Sequence, residues 1–335
     1  MKRKLNLLQS YVVRALALHA QGFLGYVGIG KESAFGTAVA ATDYFEIMSE
    51  SLSETIDRFP TRNAFGGFYD PDDFAGARRV AGNIVMFGHP VSIGHLLKAA
   101  LNTISGSAIS SGFLHLSRFI STKSEYAAGV AGQPYTLEVH RDVGSSHQYA
   151  GAICNQLQLS LAPNQDVRVT ADWIAQNGGL IAKTTPTFPG SPTDPFTFET
   201  ASLTIAGAAT ARWEAFNITV NNNLDGILAL NASTNIIRVR RRGPQEVRIS
   251  GTLDFTDVAE YLDFKNQTEL AMRLNLTRAN SFSLLIDIPR FVYTAFPTGI
   301  PGRDRLTVSV AGMARYSTTS ALAVDFGLTT TKSNF

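Results

Sequence analysis

A single cysteine, Cys154, stands among 335 residues. That excludes an intrachain disulfide and any metal site built from several thiolates, and it suits assembly in a reducing cytoplasm. Charge is scarce as well. Charged residues make up 17% of the chain, and 29 Lys and Arg against 27 Asp and Glu leave a net charge of +2. No global field therefore points to nucleic acid. So little charge solvates a large free surface poorly and suits a chain whose neighbours cover much of it. No stretch approaches the ~20 apolar residues of a transmembrane helix. The two tryptophans, Trp173 and Trp213, stand apart, so no aromatic cluster marks a sugar-binding face.

Signals of catalysis are missing too. His89, His95, His115, His140 and His147 show neither H-x-x-x-H nor H-E-x-x-H spacing and read as scattered surface or interface histidines. No serine sits in a G-x-S-x-G elbow, and no carboxylate pair stands out for acid–base work. Gly25-Tyr26-Val27-Gly28-Ile29-Gly30-Lys31 fits G-x-x-x-x-G-K, but Glu32 occupies the position where a phosphate loop needs Ser or Thr, and no helix is read after it. The run reads instead as an ordered, glycine-rich segment. Asn217, Asn231, Asn266 and Asn275 open glycosylation sequons, which a chain kept in a reducing cytoplasm does not use. No reaction, cofactor or metal is expected.

Present instead are 44% hydrophobic residues, enough for real cores, on a chain whose length favours two domains. Leu157, Leu159 and Leu161 alternate with polar residues, as do Val167, Val169 and Ala171 after a turn at Ala162–Gln165, and again Leu306, Val308 and Val310. Such alternation marks half-buried strands of a mostly antiparallel sheet protein. Ile93, Leu96, Leu97, Ala100 and Leu101 predict a helix after Pro90. Val258, Tyr261 and Leu262 predict another, capped by Thr256 and Asp257. Arg79–Met86 matches Arg248–Phe255 without a gap, glycine included, and each leads into one of these helices. A duplication explains that order. Further strands are expected at Tyr135–Arg141 and Phe282–Ile288, and the Gly-, Thr- and Pro-rich stretch Asn177–Pro195 reads as a linker.

Met1–Ala20 imitates a signal peptide, but Arg14, Gln9 and Ser10 break its apolar run. Residues 1–24 read as a flexible arm or an upstream extension.

Gly28–Thr42 follows the pattern G-x-G-K-E-[ST]-x-[YF]-G-T-x-V-A-x-T, Val91–Leu101 carries a Leu-Leu-Lys-Ala-Ala-Leu run, and Tyr149–Cys154 precedes the alternating leucines. In these three features the chain resembles the major tail proteins of siphophages. The resemblance covers residues 25–175 well and the second half by pattern. Met1–Phe23 departs from it. It implies a mainly β fold, a β-sandwich or barrel with one short flanking helix. Together with the duplication it leads to the expectation of two tandem tail-tube-like domains, 25–176 and 196–335, each with one such helix. It further implies rings stacked into a tube that conducts DNA, with no sequence-specific binding and no membrane. Six domains close a ring, so a chain with two favours a trimer of pseudo-sixfold symmetry over a hexamer. Implied partners are other copies of the chain, other tail proteins such as tape measure, terminator and distal tail proteins, and genomic DNA in the lumen. The implied location is the virion tail, assembled in the host cytoplasm. The rival readings are the inner tube of a contractile injection or secretion system and a secreted adhesive, sugar-binding β-sandwich.

Two charged stretches lie upstream of the repeated strands. Tyr69, Asp70, Asp72 and Asp73 make one acidic; Arg238, Arg240, Arg241 and Arg242 make the other basic. No aromatics interleave the arginines for base stacking. For the arginines an interface is preferred over plain solvation or DNA contact. In the family that the chain resembles this long loop reaches an adjacent ring, which implies that both stretches meet a neighbouring ring.

Overall fold

The computed structural model describes residues 19–60, 73–110, 112–119, 132–189, 194–278, 282–299 and 305–335. The first half contributes β1 (Tyr26–Lys31), β2 (Asp43–Phe45), β3 (Ser49–Glu50), β4 (Ser53–Pro60), β5 (Asp73–Phe87) and helix α1 (Ile93–Leu101). The hairpin β6 (Thr103–Ile109) and β7 (Gly112–Arg118) follows, then β8 (Tyr135–His140), β9 (Ser146–Leu161), β10 (Arg168–Ala175) and β11 (Asn177–Ile181). The second half contributes β12 (Ala201–Ile205), β13 (Ala208–Thr210), β14 (Trp213–Asn221), the hairpin β15 (Leu224–Ile227) and β16 (Arg238–Arg241), β17 (Glu246–Asp254) and helix α2 (Ala259–Asn266). It ends with β18 (Leu270–Arg278), β19 (Phe282–Ala295), β20 (Thr307–Ala314) and β21 (Asp325–Thr330).

Hydrogen bonding follows one plan twice. One layer runs β2–β1–β8–β9–β11 in the first half and β13–β12–β18–β19–β21 in the second. The other runs β4–β5–β10–β9 and β14–β17–β20–β19. The long strands β9 and β19 belong to both layers. Each crosses between them beside a register shift, at Asp172/Trp173 on β10 opposite β9 and at Tyr293/Ala295 on β19. A bulged residue bends a strand and sharpens its twist, which is what a change of layer requires.

The glycine shared by Arg79–Met86 and Arg248–Phe255 has a steric reason. A Cβ on Gly82 would lie 2.5 Å from the Ser51 carbonyl, and one on Gly251 would lie 2.2 Å from the Ala215 carbonyl. In both halves the strand before it kinks there and brings its backbone too close for any side chain.

The two halves share one sheet and one core. Gln156–Leu161 of β9 pair with Phe216–Asn221 of β14, placing Leu157 across from Val220, Leu159 from Ile218 and Leu161 from Phe216. All six are buried. Burying a side chain of this size stabilises by about 1.5–3 kcal/mol. Two hairpins also cross the joint. From the first half, β7 pairs with β21; from the second, β15–β16 packs Leu224, Ile236 and Val239 on Ile153. Asn222, fully buried, donates from Nδ2 to the carbonyls of Ala100 and Cys154 at 2.8 and 3.0 Å, capping α1 from the other half.

Several expectations need correction. The linker stretch opens as a strand: Asn177–Ile181 is β11, paired to β9. Its continuation is fastened as well, for Tyr26 donates to the Thr184 carbonyl at 2.7 Å, and the Thr184 hydroxyl donates to Glu138. The described strands form open sheets and no closed barrel. Helix α1 is buried on nearly every side and begins at Ile93, past Pro90. Helix α2 has Val258 at its N-cap and no side-chain cap there. Thr256 instead accepts from Arg212, while the Asp257 carboxylate accepts from the Ala259 N–H at 2.8 Å, and Val258 and Leu262 are exposed. Tyr261 and Phe264 are the residues that pack, against Phe296.

Candidate assembly surface

The glycine-rich N-terminal run is a fastening, and its centre is Glu32. This buried carboxylate accepts from the Thr136 hydroxyl at 2.7 Å and from the N–H groups of Gly151 and Gly36 at 2.8 and 2.9 Å. Gly36 has φ +79° and Gly151 φ +65°, left-handed values that suit glycine. A Cβ on Gly36 would run into the Gln176 amide at 1.6 Å. The Val39 N–H donates to Thr136 Oγ1, so the run is stitched across β8 and β9. Gly28 and Gly30 lie within buried β1, where Cβ atoms would collide with Ala41 and the Ala40 carbonyl. A phosphate loop needs a strand, a turn and a helix. Here β1 leads through a loop to another strand.

The layer that joins the halves has two unlike faces. Ile84, Val169, Leu159, Ile218, Ile249 and Val308 fall on the buried side. On the other side, Thr170, Gln158, Thr219 and Arg248 form one row, each directly across from the next. Asn217, Ser160 and Arg168 form a neighbouring row. The face is built mostly of amides and hydroxyls, with few charges to grip a phosphate backbone. Asp172, half-buried there, has its carboxyl pushed up by desolvation.

Beyond that layer, β4 and the first half of β5 project as an arm. The outer edge of β4 has no strand partner among the described residues. Phe59 and Phe74 face each other across the arm and are 61% and 63% exposed, and Ile56 is exposed beside them. Large aromatic side chains left this open lose the stabilisation that burial would give. Ion pairs dress the arm: Arg58 with Asp73 at 3.0 Å, Arg78 with Glu54 at 3.4 Å and Arg79 with Asp57 at 3.7 Å.

The acidic and basic stretches occupy matching places, between β4 and β5 and between β14 and β17. Tyr69, Asp70 and Asp72 lie outside the described residues. Asp73 is committed to Arg58 within the arm. Arg238, Arg240 and Arg241 form β16, with Arg240 across from Asp225 and the Arg241 guanidinium donating to the Asn222 carbonyl at 3.0 Å. The Arg242 N–H donates to the Asn223 carbonyl. Arg238 and Arg242 are exposed, and with Arg240 they show no acidic partner among the described residues. The hairpin lies back on the first half, where the Arg78 N–H donates to the Thr234 carbonyl at 2.8 Å.

Of His89, His95, His115, His140 and His147, three are not the scattered surface residues that their spacing suggests. His95, His115 and His140 are buried. His140 contacts the Asp142 carbonyl and Ser146; His95 and His115 face the C-terminal residues. For His95 and His115 no sequence signal marked the site, because their partners lie more than two hundred positions along the chain. Cys154 is fully buried, and desolvation holds its thiol far above its ordinary range, so it is an inert part of the core. Among the described residues no group of acidic, His and Cys side chains could hold a metal ion, and no helix is long and apolar enough to cross a membrane.

Compared with known families, residues 22–331 match the model of the phage tail tube protein family. No curated protein matches the chain.

Proposed function

The chain belongs to the phage tail tube protein family, a structural component of the virion tail, and from that premise we propose that three copies close a ring of six equivalent units. The observation that carries this reading is the β9–β14 joint. By the repeated pairing plan, β14 corresponds to β4 and β9 to β19. The junction that joins the two halves within a chain is therefore available between chains, with β19 of one copy meeting the open β4 edge of the next. Such head-to-tail contacts generate a ring when the rotation closes, and closure removes the exposed strand edges.

In that ring the row Thr170, Gln158, Thr219 and Arg248 faces the lumen, where mostly uncharged polar groups let DNA pass without holding it. The arm carrying Phe59 and Phe74 reaches a neighbouring ring and buries them there. Arg238, Arg240 and Arg242 add charged inter-ring contacts, each worth only ~0.2–1 kcal/mol but repeated around the ring. The second half then belongs to the tube wall and is not an outer decoration. Native mass spectrometry of rings, or a cryo-EM reconstruction of tubes, tests this directly. Three chains per ring with β19 beside a neighbour's β4 is the expected result. Six chains per ring, or a second half that adds no strand to the wall, refutes it.

A further inference from the structure

The last residues of the chain return to the first half. Lys332 donates from Nζ to His95 Nε2 at 2.8 Å and to the Asp43 carboxylate. Its own carbonyl accepts from His115 Nε2, also at 2.8 Å. The Phe335 ring meets His95 and His115 edge-on, with centroids 5.0 and 4.8 Å apart, while the Lys332 ammonium lies 5.4 Å from its centre. Beneath the ring is Gly94, on helix α1. A Cβ there would fall 2.4 Å from Phe335 Cζ, and its three nearest atoms all belong to that ring. Gly106 makes the same room under His115, whose Nδ1 would be 2.8 Å from an added Cβ.

We propose that α1, β2 and the β6–β7 hairpin form a peptide-binding socket whose ligand is the chain's own C-terminal Thr331–Phe335, and that the seated tail latches the second half to the first. The chemistry of the socket defines its ligand: a cation for Asp43, a backbone carbonyl for His115, and an aromatic ring over a glycine. Lys332 and Phe335, three residues apart, supply both side chains. Position supports the role. The tail follows β21, which is itself paired with β7 from the first half, so the seated tail extends that link across the joint.

Gly94 permits a test in which the sign of an effect decides. Gly94 is the second residue of α1 and its backbone conformation is one that alanine also adopts. The smaller entropy loss on folding should therefore let Gly94→Ala raise the melting temperature unless the ring is in the way. In the full chain Gly94→Ala is expected to lower it. In a chain ending at Thr330 the same substitution is expected to raise it. The same sign in both backgrounds overturns the seating of Phe335 on α1. The latch is read separately, by inserting a protease site after Pro192, cutting the folded protein, and timing the separation of the halves in mild denaturant. Loss of Thr331–Phe335 should speed separation at least tenfold. Equal rates with and without the tail overturn the latch.

Discussion

Replacing Glu32 removes the one acceptor that three donors share. In Glu32→Ala the N–H groups of Gly36 and Gly151 and the hydroxyl of Thr136 lose their partner together. Hydrogen bonds to a charged group contribute about 1.5–3 kcal/mol each, and a buried donor left unpaired costs about 1–3 kcal/mol. Gly36 lies nearer the surface, where water can replace the carboxylate, and the Thr136 hydroxyl also accepts from Val39 and can turn. Discounting those two leaves a loss of about 3–5 kcal/mol, a large share of the ~5–15 kcal/mol that holds a typical domain. Glu32→Gln keeps one oxygen and turns an amide donor toward a donor, so it should lose about half as much. Urea unfolding followed by tryptophan fluorescence measures both, since Trp173 and Trp213 are buried. An alanine variant within about 1 kcal/mol of wild type would refute this account of the N-terminal motif.

Three other outcomes follow from the geometry. Phe59→Asp with Phe74→Asp should leave the melting temperature of the isolated subunit nearly unchanged, because both rings are open, yet stop tube growth as seen by electron microscopy; normal tubes would exclude the arm as a contact. Arg240→Glu with Arg242→Glu spares the hydrogen-bonded Arg241 and should shorten tubes most at low salt; tubes of unchanged length at low salt would remove these residues from the interface. Acid should loosen the C-terminal tail. Burial, the leading cause, and the nearby Lys332 and Lys98 hold His95 below its ordinary value against the opposing Asp43, while His95 and Lys332 hold the Asp43 carboxyl well below the usual carboxylate range. With both pKa values depressed on folding, the unfolded chain binds more protons, so stability falls as pH drops below about 6.5 and falls again below about 4. His95→Gln should flatten the first decline, and an unchanged slope would show that another group titrates.

Much of this was legible in the chain itself. Strands such as Leu157–Leu161 and Leu306–Val310 declare themselves because a half-buried strand must alternate, and that pattern is local. The repeated glycine was visible too, although only the approach of Ser51 and Ala215 explains it. Helix α2 shows where local reading fails. Glu260 faces inward and pairs with the half-buried Arg212, and with the helix turned that way Val258 and Leu262 are exposed. Propensity gave way to a partner that the sequence places 48 positions upstream. Among the charged residues set aside for contacts between rings, Asp73 pairs within its own arm and Arg241 is tied to Asn222, ties that no charge count reveals.

The class of the protein could be read from the sequence: antiparallel strands, two short helices, a duplicated strand-to-helix step and an ordered, glycine-rich N-terminal run, whose fastening on Glu32 appeared only in the fold. Periodicity, glycine placement and motif spacing are written within a few residues of one another, so each can be read without knowing the fold. How the halves are joined shows only in the folded chain. The β9–β14 pairing, the exchange of hairpins, Asn222 on the end of α1 and Phe335 over Gly94 each unite residues tens to hundreds of positions apart. Their energy comes from desolvation and hydrogen bonding at the contact, which sequence distance does not encode.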